Sequence, residues 1–310
     1  MDRTTAMPPR PHENSLRERA DFDARGRVLQ MDVFRYFDET SIHVMQARRN
    51  YLSALIRSQC DSVTQYGILK GFRVPPSRWA ELVSSSYILG TYEVAVCAIL
   101  DALKEPNKTV VDLGGADGVF GAGLVEVGAF GSSIIFEMDA ERRQAIMDLV
   151  QARGLNDKVA VRGEARSDFP DLLAAQGRSL RNCVILCDIE GGEFSLFQDE
   201  LLARLSEAHV IIELHDFFLA DAAVRETAID NLKRIAERHF HVCEIKDGLR
   251  DIRNIPLLRN WSDWDSYLLC VEARYRMMSW LWLRPKHEGA LSPVEVDTLI
   301  LDYQRRIFAE

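Results

Sequence analysis

The sequence predicts an α/β fold in which helices cover both faces of a mainly parallel sheet. From residue 108 onward, short apolar runs typical of buried strands alternate with amphipathic helical patterns, and the first strand runs into a glycine-rich turn. Strands are expected at 109–113, 132–138, 158–163, 182–188 and 208–214. Helices are expected at 119–128, 140–152, 168–176 and 222–238, with one or two short helices over 193–206. Strands that alternate with helices in this way predict a doubly wound sheet.

The elements outside this alternation suggest four regions. Residues 1–20 are polar and contain prolines, so they are expected to be a disordered tail, and 21–106 show helical periodicity. The α/β domain is placed at 107–288 and a C-terminal helix at 289–310. Within the domain, a strand is expected at 240–246 and a last one at 277–284, stopped by Pro285. The helical region at the start is expected to act as a lid over the site or as a homodimer interface.

Composition limits the classes of partner. The 310 residues carry a formal net charge of −9, which argues against general binding to nucleic acid or to an anionic membrane. The six cysteines form no C-x-x-C pair and are expected to be reduced thiols. No apolar run reaches the length of a membrane span, and no signal-peptide pattern is present. A cytoplasmic protein without membrane or nucleic-acid partners is the expectation.

The most informative stretch is Thr109-Val-Val-Asp-Leu-Gly-Gly-Ala-Asp-Gly118. Glycines after a buried strand let the backbone approach a ligand, and the start of the following helix suits an anionic group. Asp112 at the strand end and Asp117 inside the turn would repel a pyrophosphate. They suit the positive amino group and sulfonium of S-adenosylmethionine (SAM), whose carboxylate suits the helix start. The predicted SAM contacts here are Asp112, Gly114, Gly115, Ala116, Asp117 and Gly118. The alternative is an ordinary glycine turn with incidental acids.

Every predicted parallel strand ends in a carboxylate, at Asp112, Glu137, Glu164, Asp188 and Glu213. Ligands of open α/β sheets bind at this edge. Glu137 ends the second strand, where an acid reaches the ribose hydroxyls of a nucleoside bound on the first turn, and Met138 follows it to flank the adenine. Glu164 and Ala165 end the third strand and are expected beside the adenine ring. The alternative for Glu137 is a solvated strand end, and for Glu164 it is an ordinary Gly-Glu connection.

The fourth and fifth strands supply the candidate catalytic residues. Asp188 ends the fourth strand, and its expected role is to orient the sulfonium side of the cofactor, bind a metal or help to deprotonate a hydroxyl. Glu213 and His215 point the same way on the fifth strand, so the histidine is placed to act as a base near neutral pH. The alternative is a divalent cation such as Mg²⁺, held by Asp188 and Glu213 with His215 or Asp216, which would lower the pKa of the hydroxyl.

These motifs together resemble a known family. The segment that ends in Gly118 is similar to the first motif of class I SAM-dependent methyltransferases. Asp188-Ile-Glu-Gly-Gly-Glu193, followed by the strand that ends at Glu213, resembles the FkbM-type branch. Upstream, Leu89-Gly-Thr-Tyr-Glu93 resembles a segment of related bacterial methyltransferases, which implies that Tyr92 and Glu93 close over the methionine end of SAM. The first motif departs from the frequent Gly-Ala-Asn-x-Gly by having Gly-Gly-Ala-Asp-Gly.

The resemblance spans about residues 85–285 and implies a Rossmann-like sheet of seven strands with the last antiparallel, preceded by a helical extension. It also implies O-methylation, with a small molecule or a sugar hydroxyl as the acceptor. A nicotinamide-dependent oxidoreductase is the less favoured alternative, because Asp117 lies in the loop and no Tyr-x-x-x-Lys relay follows the fourth strand. A catalytically inactive, methyltransferase-like binding or scaffold protein is another alternative. A nucleic-acid methyltransferase is disfavoured by the acidic charge and by the lack of an Asn-Pro-Pro-Tyr-like motif.

Overall fold

The computed structural model describes residues 44–76, 84–219, 221–246, 248, 250–272 and 278–309. The chain divides into two compact units, Met1–Tyr51 and Leu52–Glu310. In the first unit the described residues, 44–51, are helical. The tail expected at 1–20 lies outside the described residues.

A seven-stranded sheet forms the centre of the second unit. Its strands are β1 (Glu105–Leu113), β2 (Phe130–Phe136), β3 (Val159–Arg162), β4 (Cys183–Cys187), β5 (His209–Glu213), β6 (Phe240–Lys246) and β7 (Ser279–Pro285). They are ordered β3-β2-β1-β4-β5-β7-β6. The first five strands pair in parallel, and β7 pairs antiparallel with both β5 and β6. This arrangement confirms the predicted seven-stranded α/β sheet with an antiparallel last strand.

From residue 119 onward, the helices of the second unit occupy the predicted positions with small shifts at their ends, except for α10. They are α1 (52–59), α2 (84–88), α3 (Val94–Leu103), α4 (Val119–Glu126), α5 (Ala140–Ala152), α6 (Phe169–Ala175), α7 (Glu193–Leu196), α8 (Asp199–Leu205), α9 (Ala222–Ala236), α10 (Asp263–Cys270) and α11 (Pro293–Ala309). Helix α10 lies in a stretch that the sequence pattern left without an element. Ser262 caps the start of this helix, because its hydroxyl accepts the Asp265 N–H at 3.1 Å. A serine at this position is the sequence feature that could have predicted α10.

The core lies on both faces of the sheet, because alternate residues of the central strands point to opposite sides. Val110, Val184 and Ile211 pack into one apolar cluster with α3. Their neighbours Val111, Ile185 and Ile212 pack into another on the opposite face. Helix α3 is buried along most of its length and therefore belongs to the same core as the sheet. Within the part of the chain that the structure describes, no helix has both the length and the hydropathy of a membrane span.

Candidate functional site

The turn after β1 passes too close to its neighbours to carry side chains at two positions. A Cβ on Gly114 would lie 1.7 Å from the backbone oxygen of Asp188, and the φ of Gly114 is +95°. A Cβ on Gly115 would lie 2.2 Å from a methyl carbon of Ile135 in β2. The turn is thus wedged between the ends of β2 and β4, with its backbone amides at the carboxyl edge of the sheet.

The predicted acids of the turn have different surroundings. Asp112 is buried, and its carboxylate accepts the Gly121 N–H of α4 at 3.0 Å. Burial raises the pKa of Asp112 to about 7, with a contribution from the charges of Asp188 and Glu137, although the hydrogen bond from Gly121 acts in the opposite direction. Asp112 therefore ties β1 to α4, and its predicted contact with a cofactor stays a prediction. Asp117 is half-buried in the turn itself.

Glu137 braces the glycine turn from the end of β2. It is buried, and its two carboxylate oxygens accept the N–H groups of Ala116 at 2.9 Å and Asp139 at 2.8 Å. Each carboxylate oxygen can accept more than one hydrogen bond, so both retain capacity for a ligand hydroxyl. The side chain of the next residue, Met138, is 75% exposed.

The other predicted cofactor residues lie on two further segments. Tyr92 packs near Phe120 of α4, with 6.2 Å between the ring centres, and Glu93 beside it is buried. This segment therefore contacts the helix that follows the glycine turn. Glu164 instead lies on an exposed turn and forms a 3.1 Å ion pair with Arg166. Ala165 is half-buried against the core beneath that turn.

His215 is the centre of a cluster of carboxylates at the ends of β4 and β5. Its Nε2 lies 3.5 Å from Asp188, 3.6 Å from Glu190 and 3.9 Å from Glu213. The structure therefore brings together the three predicted catalytic residues, Asp188, Glu213 and His215. The rings of Phe217 and Phe218 flank the imidazole, with centre-to-centre distances of 5.6 and 6.1 Å.

Glu193 was not among the predicted site residues. The residue begins α7, where an acid can stabilise the helix end through its charge. It is instead fully buried, and its Oε1 lies 2.7 Å from Nδ1 of His215. The same oxygen accepts the N–H groups of Ile189 and Gly191 at 3.3 Å each. In the sequence, Glu193 is visible as the third acid of the segment Asp188-Ile-Glu-Gly-Gly-Glu193. Its partner His215 follows a different strand, so the sequence pattern does not show the contact.

The contact with Glu193 occupies Nδ1 of His215 and leaves Nε2 as the nitrogen that can accept a proton or bind a cation. With Nδ1–H donating to Glu193, the neutral ring presents the lone pair of Nε2 to the other three carboxylates. Burial alone lowers the pKa of His215. The hydrogen bond with Glu193 and the charges of Asp188, Glu193 and Glu190 outweigh burial, so the pKa is raised above its ordinary value.

The same cluster has the spacing of a cation site. One ligand atom from each of Asp188, Glu213 and His215 lies within 4.8 Å of the other two. Asp216, the other predicted ligand, is not part of this group. Carboxylate oxygens and an imidazole nitrogen suit a divalent cation.

Backbone strain is concentrated around these segments. Among the described residues, five non-glycine residues have a positive φ, and three of them are Glu93, Ala116 and Glu190. Such conformations persist where surrounding contacts enforce them and are frequent at functional sites. The three residues belong to the Tyr92 segment, the glycine turn and the loop after β4.

Comparison with known proteins finds similar solved structures but no match in sequence. No protein-family model matches the chain, and no curated protein matches it in sequence. Similar solved structures include the Bacillus cereus O-methyltransferase in complex with S-adenosylhomocysteine (SAH), at 10% identity and a TM-score of 0.41 over 76% of this chain and 90% of that chain. The O-methyltransferase TomG from Streptomyces achromogenes, which is involved in tomaymycin synthesis and was solved with SAM, is 8% identical, with a TM-score of 0.40 over 76% of this chain and 89% of that chain.

A provisionally assigned tRNA methyltransferase from Streptococcus pneumoniae is 17% identical, with a TM-score of 0.37 over 68% of this chain and 79% of that chain. Two of these neighbours are described as O-methyltransferases, and the third is provisionally assigned to tRNA. Because the identities and TM-scores are this low, the function has to be inferred from the residues of the site.

Proposed function

We propose that this protein is a SAM-dependent methyltransferase that methylates a hydroxyl group, on a small molecule or a sugar, in the manner of the FkbM-type branch. The observation that supports it best is the meeting of two features at one sheet edge. A glycine turn braced by Glu137 ends β1, and an imidazole held by Glu193 lies at the ends of the adjacent strands β4 and β5. One feature suits the cofactor, and the other suits an acceptor that must lose a proton.

The residues around the turn fit SAM in charge and in shape. Gly114 and Gly115 keep the turn free of side chains, and Glu137 retains hydrogen-bonding capacity for ribose hydroxyls. Asp117 and Glu93 supply negative charge for the ammonium group, with Tyr92 beside them. Met138, Glu164 and Ala165 are proposed to lie along the adenine. When bound, SAM supplies an electrophilic methyl group on a sulfonium.

His215 is proposed as the base that takes the proton of the acceptor hydroxyl on Nε2. Glu193 keeps Nδ1 protonated and stabilises the imidazolium that forms. Asp188 and Glu213, at 3.5 and 3.9 Å from Nε2, would orient the hydroxyl and favour the charged ring. Most of the rate would come from holding the acceptor oxygen in line with the methyl group.

A divalent cation such as Mg²⁺ is the second candidate for activating the hydroxyl. Asp188 and Glu213 would hold it, and His215 Nε2 lies within the same group. The cation would lower the pKa of a bound hydroxyl directly. The two roles of Nε2 exclude each other, because a nitrogen that binds a metal cannot accept the proton.

Calorimetric titration with SAM and with SAH tests the cofactor assignment. The wild-type protein is expected to bind both, and Glu137→Gln to weaken both by about 10-fold or more through the lost charge-assisted bonds. Glu207→Gln is a matched control, because Glu207 is an exposed acid paired with Arg181 on the surface. Absence of binding by the wild-type protein would contradict the enzyme proposal and favour the scaffold alternative. Binding of a nicotinamide dinucleotide instead would favour the oxidoreductase.

Formation of SAH from SAM with a panel of hydroxyl acceptors then tests the reaction, with and without Mg²⁺ and a chelator. Activity that survives chelation and is lost in His215→Gln supports the histidine base. Activity that requires Mg²⁺ and is lost in Asp188→Asn supports the cation. Methylation of RNA but of no small hydroxyl compound would contradict the proposed acceptor class.

A further inference from the structure

We infer that Arg143 of α5 is a positioning residue for the ribose of the cofactor, because it holds the segment that carries the Glu137 carboxylate. This inference rests on the proposed function, since it presupposes that Glu137 binds the nucleoside of SAM. Arg143 belongs to no predicted motif. It is half-buried in the first turn of α5, which begins shortly after the end of β2.

The backbone after β2 leaves the sheet and takes hydrogen bonds from outside it. β2 pairs with β1 up to Phe136, and the N–H of Glu137 still donates to the Arg162 oxygen of β3 at 3.2 Å. The carbonyl oxygens of Glu137 and Met138 both accept hydrogen bonds from Nη1 of Arg143, at 2.9 and 3.1 Å. Arg143 therefore serves backbone groups that lie beyond the strand pairing.

The same segment is joined to the glycine turn. The Phe136 oxygen accepts the N–H groups of Gly114 and Gly115 at 2.9 Å each. The Glu137 carboxylate accepts the N–H of Ala116 at 2.9 Å. A shift of the backbone at Glu137 would therefore move its carboxylate relative to the turn and to a nucleoside bound there.

Helix α5 contacts the glycine turn as well. Ile146 lies three residues after Arg143, on the same face of the helix, and it is fully buried. A Cβ on Gly115 or on Gly118 would lie 3.3 Å from a methyl carbon of Ile146. One face of α5 thus packs against the turn through Ile146 and holds the end of β2 through Arg143, so the helix sets the position of one relative to the other.

Arginine suits this task because Nη1 carries two N–H groups in a fixed plane and can serve two carbonyl oxygens at once. Methionine keeps a long apolar side chain but donates no hydrogen bond. Arg143→Met therefore releases the carbonyl oxygens of Glu137 and Met138 while the Glu137 carboxylate itself remains.

Competition against SAH by two nucleosides tests this role. Adenosine and 2′,3′-dideoxyadenosine differ only in the ribose hydroxyls, so the ratio of their affinities measures the contacts of those hydroxyls. The wild-type protein is expected to prefer adenosine by about 10-fold or more. Arg143→Met is expected to reduce this preference to less than about 3-fold. A merely structural role would weaken both nucleosides equally and leave the ratio unchanged.

Calorimetric titration with SAH, in a double-mutant cycle, is the second measurement. Arg143→Met is expected to weaken SAH binding by about 10-fold, as is usual for one lost charge-assisted contact. In the Glu137→Gln background it should add less than about 3-fold, because the contact that Arg143 positions is already weakened.

Arg142 provides the matched control. It precedes Arg143 in the same helix, carries the same charge and is exposed. Arg142→Met should leave the SAH affinity and the nucleoside ratio unchanged. Equal effects of the two variants would mean that positive charge at the start of α5, rather than the hydrogen bonds of Arg143, is responsible, and would overturn the inference.

Circular dichroism verifies that each variant is folded. Should Arg143→Met not fold, Arg143→Lys replaces it. Lysine keeps the charge and a donor but lacks the planar pair of N–H groups, so a smaller reduction of the nucleoside ratio is expected. An unchanged ratio in Arg143→Lys would then overturn the inference.

The remaining outcomes separate this role from the proposed function. An unchanged preference for adenosine in Arg143→Met would overturn the inference, and so would equal losses of SAH affinity in the two Glu137 backgrounds. A wild-type protein that binds SAH but does not distinguish the two nucleosides would overturn it as well. In these cases the wild-type protein still binds SAH, and the proposed function stands. If the wild-type protein binds neither SAH nor SAM, both the proposed function and this inference fail.

Discussion

At the scale of single residues, the candidate site depends on carboxylates that hold backbone N–H groups and an imidazole ring in place. Glu137 accepts two backbone N–H groups, Asp112 accepts one, and Glu193 accepts two and binds His215. Glu137 and Asp112, which the sequence predicts as cofactor contacts, therefore also hold the loops of the candidate site in place. A substitution at any of them tests both roles, so each needs a control with the same chemistry elsewhere.

Glu193→Gln is expected to lower the turnover number by about 10-fold or more while leaving SAM affinity close to that of the wild-type protein. The amide accepts a hydrogen bond but does not stabilise the imidazolium, and orienting acids of this kind commonly contribute this much or more. SAM affinity should hold because Glu193 bonds to His215 rather than to the glycine turn. Steady-state kinetics of SAH formation and calorimetry measure the two quantities.

Glu288→Gln is the matched control for that prediction. Glu288 lies 2.9 Å from Nε2 of His209, another buried histidine, at the start of β5 and so at the opposite edge of the sheet. An equal loss of turnover in both variants would mean that Glu193 acts only through stability.

Asp112 gives a prediction about stability and pH. Its pKa is about 7 in the folded protein and close to 4 in an unfolded chain, so between these values the folded state binds more protons. The free energy of unfolding should therefore decrease as pH rises from 5 to 7.5, with a contribution of a few kcal/mol from this residue.

Asp112→Asn removes this titration, and the amide oxygen can still accept the Gly121 N–H. Urea unfolding at pH 5 and pH 7.5 should show a smaller decrease in the free energy of unfolding for the variant than for the wild-type protein. Parallel decreases in the two proteins would contradict the raised pKa.

At the scale of secondary-structure elements, the strand–turn–helix unit from β1 to α4 is set by close contacts. Position 114 requires glycine for two reasons. Its backbone is left-handed, and the backbone oxygen of Asp188, just after β4, occupies the space that a Cβ would fill. The sequence shows the glycines, but it does not show which of them the neighbouring strand makes obligatory.

Gly114→Ala is expected to destabilise the protein by more than about 3 kcal/mol, because the energetic cost of the left-handed conformation adds to that of the collision between the Cβ and the backbone. Gly128→Ala separates the two causes. The φ of Gly128 is +76°, and nothing lies within 4 Å of its Cβ position, so it should cost only about 1–2 kcal/mol. Chemical denaturation measures both. Equal costs would show that the turn moves away from β4 without difficulty.

Helix α3 gives a prediction about the role of the residues before the sheet. Ile99 is fully buried in the cluster that includes Val110 and Val184 of the sheet. Ile99→Ala should therefore cost about 2–5 kcal/mol of unfolding free energy. Leu172, which is 42% exposed, is the control, and Leu172→Ala should cost less than about 1 kcal/mol. A cost below 1 kcal/mol for Ile99→Ala would mean that α3 is loosely attached, as a lid would be.

At the scale of the whole molecule, the candidate site and a structural hydrogen-bond network lie at opposite edges of one sheet. The carboxyl edge of β1, β4 and β5 carries the glycine turn and the His215 cluster. The other edge carries a structural network in which Trp282 donates to Nδ1 of His209 at 3.3 Å and Glu288 binds Nε2. Parallel strands impose this division, because their carboxyl ends and the loops that follow them meet on one side.

The sequence by itself determined the order of the strands and helices, the glycine turn and the acids at the strand ends. These are local properties: periodicity of apolar residues, glycine spacing and the residue at each strand terminus. Helix ends and strand ends shifted by one to four residues, as at β1, which begins at Glu105 rather than at 109. Packing and pairing, rather than local preference, set those boundaries.

Only the tertiary structure decided which residues act on one another. Glu193 meets His215, and Glu272 meets Glu93, across 22 and 179 positions of the chain. No local pattern records such contacts, because they depend on the order in which strands lie in the sheet and on where a later segment returns to an earlier one. The sequence therefore shows the residue types of the candidate site, whereas the distances between their side chains are set only when the strands pair in the sheet.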